Sequence, residues 1–63
     1  MISPTNADLG KLVRVIGFPA WQPDVGRVGR ILSIGKFHIR VCWLDTGDWA
    51  AFLPSELQWE KSS

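Results

Sequence analysis

The segment 37–53 constrains the fold of this chain more than any other part of the sequence. Its first part alternates between apolar and other residues, which is the pattern of a β-strand with one buried face. The set that this alternation assigns to the core is Phe37, Ile39, Val41 and Trp43. The turn residues Asp45–Asp48 then lead into the apolar run Trp49–Leu53. The segment therefore predicts a β-hairpin whose strands pair antiparallel across Thr46 and Gly47.

The run Trp49–Leu53 does not alternate, so both faces of that strand are apolar. A chain of 63 residues has one core, and a strand buries only one of its faces against it. Either Trp49/Ala51/Leu53 or Ala50/Phe52 therefore lies outside the core. We expect this spare surface to be covered by a second copy of the chain or by a protein partner.

Three further strands are predicted outside the hairpin, which makes an all-β fold. They are Lys11–Ile16, Arg27–Ile34 and Gln58–Glu60. The residues expected in the core are Val13, Val15, Val28, Ile39 and Val41. Because alternation groups Arg30 with Val28 and Leu32, we predict a β-bulge near Gly29.

The connections and ends are read from turn residues. Ser3–Gly10 either holds one helical turn capped by Ser3 or is a frayed leader. Residues 17–26 form a long loop around Trp21, and Pro54–Leu57 is a tight turn. The predicted layout is a leader at residues 1–10, one folded domain at 11–60 and a tail at 61–63.

Composition bears on the compartment and the partners. The single cysteine, Cys42, makes no internal disulfide, and a secreted domain of this size usually carries several. No apolar segment approaches the ~20 residues that span a bilayer, and Met1–Gly10 lacks the layout of a signal peptide. We expect a cytoplasmic protein with no membrane association. The formal net charge of +1 gives no overall attraction to nucleic acid.

The order of these elements resembles that of an SH3-like barrel of about five short antiparallel strands, in which closure covers the strand edges. Within that superfamily, Val13–Val15 followed by Gly26–Ile31 resembles the KOW-type opening hairpin. The chain is also similar to the plasmid-borne type II dihydrofolate reductases, through Val13–Arg14, Ala20–Gln22 and the apolar strand before Pro54. That family's strand carries a glutamine and a tyrosine, which bind pterin and nicotinamide in the pore of a tetramer.

No combination of residues specifies a reaction. His38 and Cys42 lie four residues apart on one strand, roughly 13 Å, whereas the ligands of one zinc ion lie within about 2.0–2.3 Å of it. Asp45 and Asp48 suit a turn, where aspartate bonds nearby amides. We assign no catalytic, cofactor-binding or metal-binding residue, and we favour a protein that is not an enzyme.

Three functions stay open at this point, and we favour the first. It is a noncatalytic binding or assembly module that self-associates or docks a protein partner through Trp21, Trp49, Ala51 and Leu53. The second is a KOW-like nucleic-acid-binding accessory protein that uses Arg27, Arg30, Lys36 and Arg40, with an aromatic residue as a stacking platform. The third is an oligomeric reductase of the type II dihydrofolate reductase kind. Ala51 and Leu53 argue against it, because they replace that family's two polar side chains.

Overall fold

A computed structural model describes residues 2–17 and 23–60 of the chain. This part contains five strands: β1 Leu12–Val15, β2 Val28–Ile34, β3 Ile39–Trp43, β4 Trp49–Phe52 and β5 Leu57–Trp59. They form one antiparallel sheet in the order β4-β3-β2-β1-β5, which confirms the predicted all-β class. The sheet is compatible with a small SH3-like barrel, although β4 and β5 do not pair to close it. Neither of the two short 3-10 turns described in the structure is long enough to cross a membrane.

The predicted hairpin is formed by β3 and β4. Ile39 lies opposite Phe52 and Cys42 lies opposite Trp49. The connection folds back because Gly47 adopts a left-handed φ of 80°, which glycine reaches without a steric penalty. The prediction was wrong at one end, since Phe37 precedes the strand and is 67% exposed. Alternation alone did not reveal that the turn from β2 extends to His38, whose carbonyl accepts a hydrogen bond from the Gly35 N–H.

Strand β2 contains a bulge, but at a different place from the one predicted. The register shifts between Ile31 and Ser33 rather than near Gly29. Gly29 instead faces inward, where a Cβ atom would lie 2.4 Å from Val41 Cγ1 and 2.6 Å from the Cys42 carbonyl oxygen. The absence of a side chain at Gly29 thus lets β2 and β3 approach closely at this position. Val28 consequently lies on the opposite side and is only half-buried, so its prediction as a core residue was wrong.

The core consists of apolar side chains from all five strands and from the leader. Its buried members are Ile2, Val13, Val15, Ile31, Ile39, Val41, Trp43, Phe52 and Leu57. The rings of Trp43 and Phe52 pack edge to face with centroids 5.7 Å apart. Ile2 was not predicted, and its N–H donates to the Pro54 carbonyl at 3.2 Å, which ties the leader to the end of the sheet.

The two 3-10 turns are Asn6–Asp8 and Pro54–Glu56, close to the predicted positions. Thr5 rather than Ser3 occupies the N-cap position of the first, and the Thr5 backbone N–H donates to the Asp8 carboxylate at 2.8 Å. The prediction for the loop around Trp21 falls partly on residues 18–22, and the predicted tail is 61–63. Both stretches, and Trp21 itself, lie outside the described residues.

Candidate binding face

Apolar side chains of β4 and of Leu53, which directly follows it, are exposed on one side of the sheet. We call Trp49, Ala51 and Leu53 the outer row of β4. Trp49 is 57% exposed, Leu53 is 43% exposed, and Ala51 between them is also open to solvent. Phe52 is buried and Ala50 packs against the core. The set of apolar residues left outside the core is therefore Trp49/Ala51/Leu53, and the alternative that the sequence left open is settled.

Two arginines and a cysteine of the neighbouring strands lie beside this row. Arg40 pairs with Ala51 and Cys42 with Trp49 across β3 and β4, while Arg30 pairs with Cys42 across β2 and β3. The Arg40 guanidinium lies 5.3 Å from the centre of the Trp49 ring, within the range of a cation–π contact. We call the outer face the exposed surface of β2, β3 and β4 formed by Arg30, Leu32, Arg40, Cys42, Trp49, Ala51 and Leu53.

Charge is distributed unevenly between the outer face and the rest of the described residues. Most carboxylates are engaged elsewhere: Asp8 with Lys11, Glu60 with Arg14, and Asp24 and Asp45 with Arg27. Within the described chain, Arg30, Lys36 and Arg40 form no ion pair with a carboxylate. Arg30 instead donates to the Gly10 carbonyl at 3.0 Å. The outer face contains no acidic residue, so it is locally positive.

The four predicted nucleic-acid-binding cations are only partly brought together. Arg30 and Arg40 are diagonal neighbours on adjacent strands, where the spacing between backbone positions is about 7–8 Å. Lys36 lies in the β2–β3 turn, 5.4 Å from the Phe37 ring. Arg27 is separate, because it stacks 4.1 Å from the centre of the Trp43 ring and forms two ion pairs.

The ion pair of Arg27 also affects the chemistry of its acidic partner. The Arg27 guanidinium donates a hydrogen bond to Asp45 at 3.0 Å, and this bond lowers the pKa of the Asp45 carboxyl. The pair joins the turn before β2 to the β3–β4 connection. No single spacing in the sequence indicates this contact, which is why Arg27 was predicted to belong to the basic surface.

The open edge of β4 is the second notable feature of this region. Trp43 donates its N–H to the Asp48 carbonyl at 2.7 Å. Asp48 is therefore a position that bonds to β3. Because such positions alternate along an antiparallel pair, Ala50 and Phe52 also direct their backbone N–H and C=O groups toward β3. Trp49 and Ala51 direct theirs to the opposite side, where no described strand pairs with them. The edge therefore presents two donors and two acceptors.

A shallow depression borders the outer face where the β2–β3 turn approaches the turn after β4. It is lined in part by Phe37, His38, Leu53 and Pro54. Phe37 was predicted in the core, so sequence reasoning missed this surface. The described residues contain no group of three or more His, Cys, Asp or Glu side chains placed to hold a metal ion.

Comparison with known proteins found no family model, curated protein or solved structure that matches this chain.

Proposed function

We propose that this protein is a noncatalytic assembly module of the SH3-like barrel type, which self-associates through the outer row of β4. The observation that carries the proposal is the exposure of Trp49 on an edge strand, and of Leu53 directly after it, while the other face of the strand packs against the core. Exposed apolar side chains grouped in this way are typical of interaction surfaces.

The free energy available at this row supports an association. A buried tryptophan covers 150–250 Å², so the exposed part of Trp49 amounts to roughly 100 Å² of surface. At about 25 cal/mol per Å², burying all of this surface would contribute at most about 2–3 kcal/mol for each subunit, against the entropic cost of association. Leu53 adds to this term. Ala51 leaves space for a ring from the facing subunit.

Association would also stabilise the fold. A domain of 63 residues has a small core, which rarely provides more than about 3–5 kcal/mol of net stability. Its one thiol, Cys42, has no cysteine partner within the chain. Contacts that form only between folded subunits shift the folding equilibrium toward the native state.

The outer face does not favour the reductase alternative. Ala51 and Leu53 present only hydrocarbon where the type II dihydrofolate reductases carry the polar groups that bind pterin and nicotinamide. The proposal therefore assigns this face to binding.

Sedimentation velocity tests the proposal with two matched variants. The chain has a mass of 7.1 kDa, and we expect the wild type to sediment as a multiple of it. Trp49→Lys should shift the protein to the monomer, because it removes the ring that association buries and places an ammonium against the second subunit. Gln58→Lys adds the same charge at an exposed site of β5 and should leave the mass unchanged. A wild type that stays monomeric at high concentration would contradict self-association and leave the row for a foreign protein partner.

Nucleic-acid binding is a second candidate, and a specific observation favours it. Arg30, Lys36 and Arg40 form no carboxylate ion pair within the described residues, and two of them lie against exposed rings, Trp49 and Phe37. Small β-domains bind single strands with such combinations of cations and stacking rings.

Fluorescence anisotropy with labelled oligo(dT) and oligo(U) at low salt tests this candidate. Binding through two or three phosphate contacts should weaken with salt at a log–log slope of about −1.4 to −2.1. Arg40→Gln should reduce the affinity severalfold, whereas Arg14→Gln removes a charge already paired with Glu60 and should change it little. No binding at high micromolar protein would exclude this candidate.

A further inference from the structure

We infer that β4 pairs antiparallel with β4 of a second copy, with Trp49 opposite the second copy's Ala51 and Ala51 opposite the second copy's Trp49. This inference rests on the proposed self-association and specifies its geometry: the two sheets join edge to edge, instead of packing face to face.

The direction of the backbone groups favours edge pairing. Trp49 and Ala51 carry N–H and C=O groups that point away from β3, as derived above from the Trp43–Asp48 hydrogen bond. Two residues opposite each other in this register exchange both hydrogen bonds. A two-fold axis at Ala50 would therefore create four N–H···O bonds and satisfy every free backbone group of Trp49 and Ala51 at this edge. Pairing of this kind is isologous, so it closes as a dimer.

Neighbouring registers satisfy fewer groups. A slip that sets Ala51 opposite itself would pair Trp49 with Leu53, but the Leu53 N–H already donates to Glu56 at 2.8 Å, and its carbonyl accepts from the Glu56 N–H at 2.9 Å. The opposite slip sets Trp49 against itself and pairs Ala51 with Gly47, whose N–H already donates to the Trp43 carbonyl at 3.1 Å. A slip by one residue would set Trp49 or Ala51 opposite Ala50 of the second copy, whose backbone groups already bond to β3. Only the proposed register uses all four groups.

Side-chain size favours the same register. Residues directly opposite each other across antiparallel strands share a face and touch. The proposed pairing places each exposed Trp49 ring over the second copy's Ala51, a large group against a small one. The slipped registers would set two Trp49 rings, or two Ala51 methyl groups, against each other.

The edge also lacks the features that protect edge strands from pairing. Proteins commonly protect such edges with lysine, proline or inward-pointing charges. β4 consists of Trp49, Ala50, Ala51 and Phe52, with no charge and no proline. The other edge strand, β5, has only three residues, and very short edge strands offer little backbone for pairing. Of the two edges, β4 is therefore the one open to a second copy.

Amide hydrogen exchange by NMR tests edge pairing directly in the wild-type chain. At concentrations where the protein is a dimer, the amides of Trp49 and Ala51 should exchange at least tenfold more slowly than in the dilute monomer. The amides of Ala50 and Leu53 are bonded within one chain in both states, so slower exchange at these two positions reports stabilisation of the fold by association and not pairing at the edge. A dimer whose Trp49 and Ala51 amides still exchange at the monomer rate would overturn edge pairing and leave self-association standing. A chain that is always monomeric would overturn both.

Cysteine cross-linking tests the register. In a Cys42→Ser background, Ala50→Cys places two thiols at the two-fold axis, where facing Cα atoms are about 4.5 Å apart, within the range that a disulfide spans. Ala51→Cys places them roughly 8–9 Å apart by the strand spacing and rise. Mild oxidation should therefore cross-link the Ala50→Cys dimer and spare the Ala51→Cys dimer. Preferential cross-linking through Ala51→Cys would show the slipped register and overturn the assignment.

Discussion

Replacement of Gly29 by alanine should destabilise the fold, although alanine is the better residue for most strands. A Cβ atom at this position would meet Val41 Cγ1 at 2.4 Å and the Cys42 carbonyl oxygen at 2.6 Å. Both neighbours resist displacement. Val41 is fully buried and β-branched, with restricted χ1 freedom, and the Cys42 oxygen belongs to the backbone of β3. Overpacking of this kind costs about 1–3 kcal/mol.

The sign of the effect makes this a strict test. At a compatible site, Gly→Ala stabilises a protein by about 0.4–1 kcal/mol through the unfolded state. We therefore expect a net loss of about 1–2 kcal/mol, and a fall in Tm of about 4–8 °C for each kcal/mol. Thermal unfolding followed by circular dichroism measures it. Ser33→Ala, on the other side of β2, is the control and should change Tm little. A Tm for Gly29→Ala equal to or above that of the wild type would refute the close approach of β2 and β3.

The remaining predictions concern the core, the hairpin connection and an ion pair. Ile39→Ala should lower the free energy of unfolding by about 2–5 kcal/mol in urea titrations, since Ile39 is 1% exposed. Gly47→Ala should also destabilise, because its φ is 80°, and Gly47→Asn should restore part of the loss, since asparagine tolerates this region better. The hydrogen bond from Arg27 lowers the pKa of Asp45 in the folded state below its ordinary value of 3.8. The ionised Asp45 therefore stabilises the fold fully at pH values above 3.8, and this stabilisation is lost as the pH falls through the lowered pKa. The acid-induced fall in Tm should therefore be smaller in Asp45→Asn.

Much of the fold could be predicted because its signals are local. Ile39, Val41 and Trp43 alternate with polar or small residues, and the glycine-containing connection fixes where the chain returns. The same reasoning failed at Phe37, because a large apolar residue in a turn continues the pattern without belonging to the strand. It also missed Ile2, whose burial depends on the contact between the leader and Pro54.

Positions without a large side chain were harder to assign. Gly29 carries no hydrophobic signal, so its inward orientation and the true site of the bulge, between Ile31 and Ser33, followed only from the pairing of β2 with β3. The face that β4 turns toward the core could likewise be assigned only from strand pairing. Both of its faces are apolar, and Ala50 is assigned inward because it pairs with Val41.

The outer face could be predicted only in part from the sequence. The sequence indicated an apolar surplus between Trp49 and Leu53 and a basic stretch before it. It did not indicate that Arg40 would stack on Trp49 or that Asp24 and Asp45 would neutralise Arg27, because these contacts join distant segments. Long-range ion pairs depend on tertiary geometry that no local pattern encodes.

An NMR dilution series of the wild-type chain tests the central claim most directly, because it locates the contact surface without any substitution. Self-association through β4 predicts that backbone amide shifts of Trp49, Ala51 and Leu53 move with protein concentration, while those of Gln58 on β5 stay constant. Amide shifts that are independent of concentration from micromolar to millimolar protein, or that move at β1 and β5 instead of β4, would contradict the account.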